Sequence, residues 1–148
     1  MTVFIGADHR GFELKEKLLP LLTKAHDFVV VVDKGAEKLD NNDDYNDFAK
    51  EVAKEVAKDP EARGILICGS AHGVCMQANR FKGVRAINGV NDELVKMGRE
   101  HNDANVLCLP ADFIDETDAE RMIHNFLHTK ALQGEKYLRR NQKLDEED

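Results

Sequence analysis

Short apolar runs alternate along this chain with longer stretches in which apolar residues recur every three or four positions. Val3, Phe4 and Ile5 form the first run and predict a strand, followed by a glycine-flanked polar loop over residues 6–11. Leu14, Leu18, Leu19, Leu21 and Leu22 then give a helical stripe interrupted by Pro20, which predicts either one kinked helix or two pieces. Residues 28–32 are an unbroken apolar run, expected to be a strand buried on both faces. Residues 38–47 are acidic and polar and predict a solvated loop. Ala49, Ala53 and Ala57 with Phe48, Val52 and Val56 mark a helix stopped near Asp59 and Pro60. Ile65, Leu66 and Ile67 form a third strand ending in Cys68. A loop of small residues, Gly69, Ser70, Ala71, His72 and Gly73, follows, and helical patterning resumes at Val74, Met76 and Ala78.

Residues 84–90 predict a fourth strand, and Asn91 is placed to cap a helix carrying Leu94, Val95 and Met97. A polar cluster over residues 99–105 leads into a fifth strand at 106–109. Residues 117–127 are an amphipathic helix, and residues 134–144 a basic segment with Lys136, Arg139, Arg140 and Lys143. The acidic tail, residues 145–148, is expected to be disordered or a frayed helix end.

This alternation predicts an α/β fold built from βαβ units, with a parallel sheet and right-handed crossovers. Ligands of such sheets sit at the carboxyl ends of the strands, where strand order reverses. Asp8 and His9 after the first strand and residues 68–73 after the third are expected there. His101 and Asn102 precede the fifth strand and so lie by sequence at its wrong end. Joining the same site requires a second subunit or a bent helix end.

Length changes the picture little: 148 residues suit one domain, 1–148, with a sizeable core. A formal charge of −7 argues against nucleic acid and anionic membranes as partners. No apolar run approaches a membrane span, and the N-terminus lacks a basic segment leading into a long apolar one, so a cytoplasmic location is expected. The three cysteines contain no CxxC pair and suggest neither a disulfide framework nor a zinc site. His124 and His128 share a helix face, but no glutamate stands between them as in HExxH and no third ligand is evident in the sequence, so no metal site is expected.

The candidate chemistry centres on Cys68. A cysteine ending a buried strand is ordinarily a small core residue, as Cys75 and Cys108 are expected to be. The loop after Cys68 differs, because its N–H groups and the helix that follows should depress the thiol's pKa and cradle developing negative charge. A thiol base, an amide-lined pocket, a histidine and an aspartate suit proton abstraction beside a carbonyl, with N–H donors stabilising the enediolate. Taken singly, each signal has a bland alternative: Asp8 and His9 as loop residues, His101 and Asn102 as a helix end, the basic segment as a solvated face.

Residues 6–15 (GADHRGFELK), the loop from Cys68 to Arg80 and residues 99–107 (REHNDANVL) together resemble the type B ribose-5-phosphate isomerases, a family that also holds galactose- and allose-6-phosphate isomerases. The resemblance implies a three-layer Rossmann-like sandwich with a five-stranded parallel sheet, no cofactor, and homodimers with shared active sites, with pairing of dimers into a tetramer left open. It implies Cys68 as the base, Ser70 and the amides of Gly69 to Gly73 (Ala71 and His72 among them) around the enediolate, His101 as ring-opening acid and Asp8 as handler of hydroxyl protons. It also implies Asn102 on the sugar, His9 and Arg140 on the phosphate, Tyr45 lining the site, and Lys136 as a further phosphate contact. The expected substrate is ribose 5-phosphate, with a 6-phosphohexose as the alternative and a non-catalytic subunit on the same fold as the competing class.

Three positions depart from the family pattern. Ala71 replaces a usual glycine, so a β-carbon is expected to point toward the pocket. Asp112 stands where an arginine commonly binds phosphate. Lys136 and Tyr137 stand where Arg-His is common, and lysine lacks the bidentate fork of arginine. A thiol phosphatase is disfavoured because Val74 occupies the arginine position of a C-x5-R loop, and a phospho-receiver because the third strand ends in Cys68 instead of aspartate.

Overall fold

The computed structural model describes residues 1–146. Five strands, β1 (Thr2–Ala7), β2 (Val30–Asp33), β3 (Arg63–Cys68), β4 (Ala86–Asn88) and β5 (Val106–Pro110), form one parallel sheet in the order β2-β1-β3-β5-β4. The helices are α1 (Phe12–Ala25), α2 (Tyr45–Lys58), α3 (His72–Ala78), α4 (Asp92–Asn102), α5 (Glu116–His128) and α6 (Glu135–Asp145).

Side chains alternate across the central strands, and each face therefore meets its own helical layer. Ile65, Ile67, Leu107 and Leu109 turn toward α1, α4 and α5, packing with Leu18, Leu22, Val95, Ile123 and Phe126. Leu66, Cys68, Val106 and Cys108 turn the other way and pack with Val52, Val56 and Val74 of α2 and α3. The expected three-layer α/β sandwich is present. Cys108 lies wholly in the core and Cys75 packs against it, as expected of both.

Several elements differ from their sequence expectation. The run at 28–32 is not buried on both faces: β2 begins at Val30, pairs only with β1 at the sheet edge, and leaves Val30 and Phe28 exposed. Apolar run length reports β-propensity, and sheet position is set by strands far away in sequence. The fourth strand shrinks from 84–90 to three residues for the same reason, since β4 is the other edge and Val90 is exposed. Pro20 does not divide α1, because its ring lies on the solvent side while Leu18 and Leu22 bury the opposite one. The acidic loop ends early, with Tyr45 opening α2. Of the tail expected to be disordered or a helix end, Asp145 is the last residue of α6 and bonds Arg85 at 3.0 Å, and residues 147–148 lie outside the described residues. Asn91 caps α4 as anticipated, its side chain accepting from the Leu94 amide.

Candidate active site

Strand order reverses between β1 and β3, because the chain leaves β1 for β2 on one side and returns to β3 on the other. The two loops leaving these strands are held close together. Gly11 has no side chain where a β-carbon would come within 2.4 Å of the Ile67 carbonyl oxygen, so the loop after β1 can lie directly on the end of β3. The Asp8 amide donates to the Ile67 carbonyl, and the loop after β5 is tied in by Ala111 and Asp112 amides donating to the carbonyls of Cys68 and Gly69. A cleft of about 370 Å³ opens there, lined by Asp8, Arg10, Tyr45, Cys68, Gly69, Ser70, Gly73, Asp112 and Phe113.

Cys68 is 5% exposed, and its sulfur receives the amide N–H groups of Val74, Ala71 and Ser70. The sequence predicts a depressed thiol pKa; the structure corrects this. Burial, with the negative Asp8 carboxylate nearby, outweighs the three amides and pushes the thiol above its ordinary value. The α3 that follows is only seven residues long, a short source of dipole.

Asp8 is buried beside it. Burial raises its pKa, opposed by Arg10 and Gly11 amides donating to Oδ1 at 3.0 and 3.1 Å. His9 is anchored by Asp43, whose Oδ1 accepts from the His9 amide at 3.0 Å and lies 2.7 Å from ring Nδ1. That hydrogen bond raises the imidazole pKa and favours a cation next to Asp8 in the chain. The Tyr45 ring lies flat on the backbone of Gly73, where a β-carbon would come within 2.6 Å of it. Ser70 is exposed on the loop.

Ala71 and His72 do not line the cleft. Ala71 has a left-handed backbone, φ 66°, and its β-carbon turns into the core with Cys68 and Val74, not toward the pocket. Its amide alone faces the sulfur. The exposed His72 ring turns toward β4, Nδ1 lying 3.2 Å from the Asn88 amide nitrogen. Asp112 does not stand as a free carboxylate, since Arg10 hydrogen-bonds it across Gly69.

His101 and Asn102 end α4 at the amino edge of the sheet, opposite Cys68. The His101 ring stacks on Tyr137 of α6, centroids 5.4 Å apart and 6° from parallel, and Lys136 lies over the same tyrosine. Arg140 is on α6 as well. Within one chain the candidate residues therefore form two groups, one at each edge. Sequence reasoning missed Arg10, Phe113 and Asp43. Arg10 adjoins the Asp8-His9 pair and was the legible one, whereas Asp43 is indistinguishable from its acidic neighbours.

A model of the ribose/galactose isomerase family matches residues 3–144. The chain belongs to that family. Among its relatives, a probable ribose-5-phosphate isomerase B from Mycoplasma genitalium is 41% identical, the match covering 97% of this chain and 93% of that protein. The ribose-5-phosphate isomerase B of Mycobacterium tuberculosis is 30% identical over 95% of this chain and 85% of its own. The crystal structure of the M. genitalium enzyme with bound ribulose 5-phosphate superposes with a TM-score of 0.91 at 39% identity, covering 97% of this chain and 93% of that one. The Trypanosoma cruzi type B enzyme gives a TM-score of 0.93 at 34% identity over 98% and 96%. Among the described residues of this isomerase-family chain, no helix is long and apolar enough to cross a membrane.

Proposed function

We propose that this chain is one catalytic domain that interconverts ribose 5-phosphate and ribulose 5-phosphate without a cofactor, working as a homodimer in which each cleft is completed by the other subunit. The observation that carries the reading is the Cys68 sulfur under three amide N–H groups beside Asp8, in a chain 39% identical to an enzyme crystallised with ribulose 5-phosphate. In this reading the Cys68 thiolate takes the proton from the carbon next to the sugar carbonyl and returns it to the neighbouring carbon. The electron pair left behind moves onto the carbonyl oxygen, where Ser70 and the loop amides stabilise it. Asp8 shuttles the hydroxyl proton, and His9, held toward its cationic form by Asp43, receives the phosphate. Tyr45 walls the sugar. His101 opens the ring as general acid and Asn102 holds a hydroxyl, with Lys136 and Arg140 adding positive charge, all four supplied across the dimer. The surface bearing them is suited to a partner: among the described residues α6 buries no side chain, and Leu138 of α6 and Leu94 and Met97 of α4 are exposed.

One observation favours a second reading. Asp112 occupies Arg10, which leaves the cleft one cation fewer for phosphate and suits either a 6-phosphohexose or a non-catalytic subunit. Assay of the purified chain against a panel of aldose and ketose phosphates decides between them. Ribose 5-phosphate is expected to be turned over, and Cys68→Ala to lose about 100-fold or more in kcat while staying folded. Preference for a 6-phosphohexose would replace the substrate, and a chain inert to the whole panel would sink the reading.

A further inference from the structure

At the amino edge of the sheet, away from the cleft that Cys68 lines, three histidines from two helical ends converge. His26 follows α1 and is buried, while His124 and His128 lie one turn apart on the exposed face of α5. Their ligand atoms all lie within 4.8 Å of one another. The His26 Nδ1 and His128 Nε2 atoms are 3.2 Å apart, and the rings of His124 and His128 stack with centroids at 4.2 Å. We infer that His26, His124 and His128 form a binding site for a borderline divalent cation of the zinc class, joining the end of α1 to the end of α5.

Geometry supports this first. Two imidazole nitrogens each about 2.0–2.1 Å from one tetrahedral zinc lie roughly 3.3–3.4 Å apart, and the His26–His128 separation already matches that spacing. The exposed His124 ring has to turn out of its stack on His128 to bring in the third nitrogen. Phe28 stacks edge-on against both His26 and His128, holding those two rings in place and covering one side of the site. A cleft of about 130 Å³ beside it is lined by His26, Glu120 and His124 with leucines of α1, so the cluster is open to an ion from solvent and a carboxylate one turn before His124 lines the same cleft. An all-imidazole set selects zinc, nickel or copper(II) over magnesium and calcium, which need oxygen ligands. His124 and His128 alone lacked a third ligand in the sequence; the fold supplies it from 98 residues upstream of His124 (124 − 26 = 98).

Calorimetric titration of the untagged full-length protein with Zn²⁺, paired with Co²⁺ absorption spectra and thermal melts, tests the site. Wild type is expected to bind one equivalent there and to melt higher with saturating Zn²⁺, because metal at 100 times its Kd favours the folded state about 100-fold. His124→Gln/His128→Gln replaces two exposed residues, so its metal-free melting point should match wild type, while this binding event and the Zn²⁺-dependent rise should vanish. Cys68→Ala should retain both, and the Co²⁺ spectrum should lack a thiolate charge-transfer band. Binding unchanged in the double histidine variant, binding lost in Cys68→Ala, or no binding at millimolar Zn²⁺ would each overturn the inference.

Discussion

The thiol of Cys68 is the residue on which two opposing effects are decided. Three amides favour its thiolate, yet burial and the neighbouring Asp8 charge prevail, and the free thiol is protonated through the neutral range. If Cys68 is the base, kcat/KM should climb about tenfold per pH unit across neutrality and level off only above the ordinary thiol range. A pH–rate profile that reaches its plateau below pH 7 would assign the base elsewhere. His9 is shifted in the same direction by a different cause, a hydrogen bond where Cys68 has burial. Its bond to Asp43 raises the folded-state pKa, so the stability it contributes is fully present below the unfolded imidazole value of about 6.5 and is lost as pH rises through the folded-state value. Asp43→Asn should lower the His9 pKa measured by NMR titration and raise KM for a phosphosugar. Asp112→Asn should release Arg10 and lower that KM severalfold; an unchanged KM would mean that Arg10 does not reach the phosphate. At this scale the sequence made Cys68, Asp8 and His9 legible, since each belongs to a compact motif at a strand end. Asp43 was not, because it serves His9 from 34 residues away and its pattern is that of any acidic turn.

The elements were legible where a strand is central and less so at the margins. Ile65, Leu66 and Ile67 fill both layers, and an unbroken apolar run is what two-sided burial demands. The run at 28–32 has the same composition but becomes an edge, because nothing local says how many strands will pair with it. Helix α1 reads correctly once Pro20 is set on its solvent side, where the lost hydrogen bond is not compounded by lost packing. The contact between the loop after β1 and the end of β3 depends on Gly11, whose missing side chain lets Asp8 approach Cys68. A methyl there meets the main chain of Ile67, which has no rotamer to yield. Gly11→Ala should therefore destabilise the fold by about 1–3 kcal/mol in urea titration. It should also cost activity beyond that loss, since spreading the two loops separates the carboxylate from the thiol. A variant with wild-type stability and rate would show that the approach is not required.

For the molecule as a whole, the decisive fact is that one chain holds its candidate residues at two opposite sheet edges. Asp8, His9, Tyr45, Cys68 and Ser70 lie at the carboxyl edge; His101 and Asn102, with the helix bearing Lys136 and Arg140, lie at the amino edge. A rigid sheet cannot bring them together, so a shared site needs two subunits related by symmetry, each lending one edge. This separation makes the arrangement testable without any structure of the assembly. Cys68→Ala and His101→Ala homodimers are each expected to be inactive, because every site in either carries one defect. In a hybrid of the two, one site collects both defects and the other collects neither. Random reassortment of equal amounts makes half the dimers hybrid with one intact site in two, so co-refolding should restore roughly a quarter of wild-type activity. Recovery should follow the hybrid fraction measured by mass spectrometry of differently labelled subunits. If hybrids form and activity stays at the level of the inactive parents, His101 does not act across the interface, and the acid must be sought among the groups around Cys68 itself.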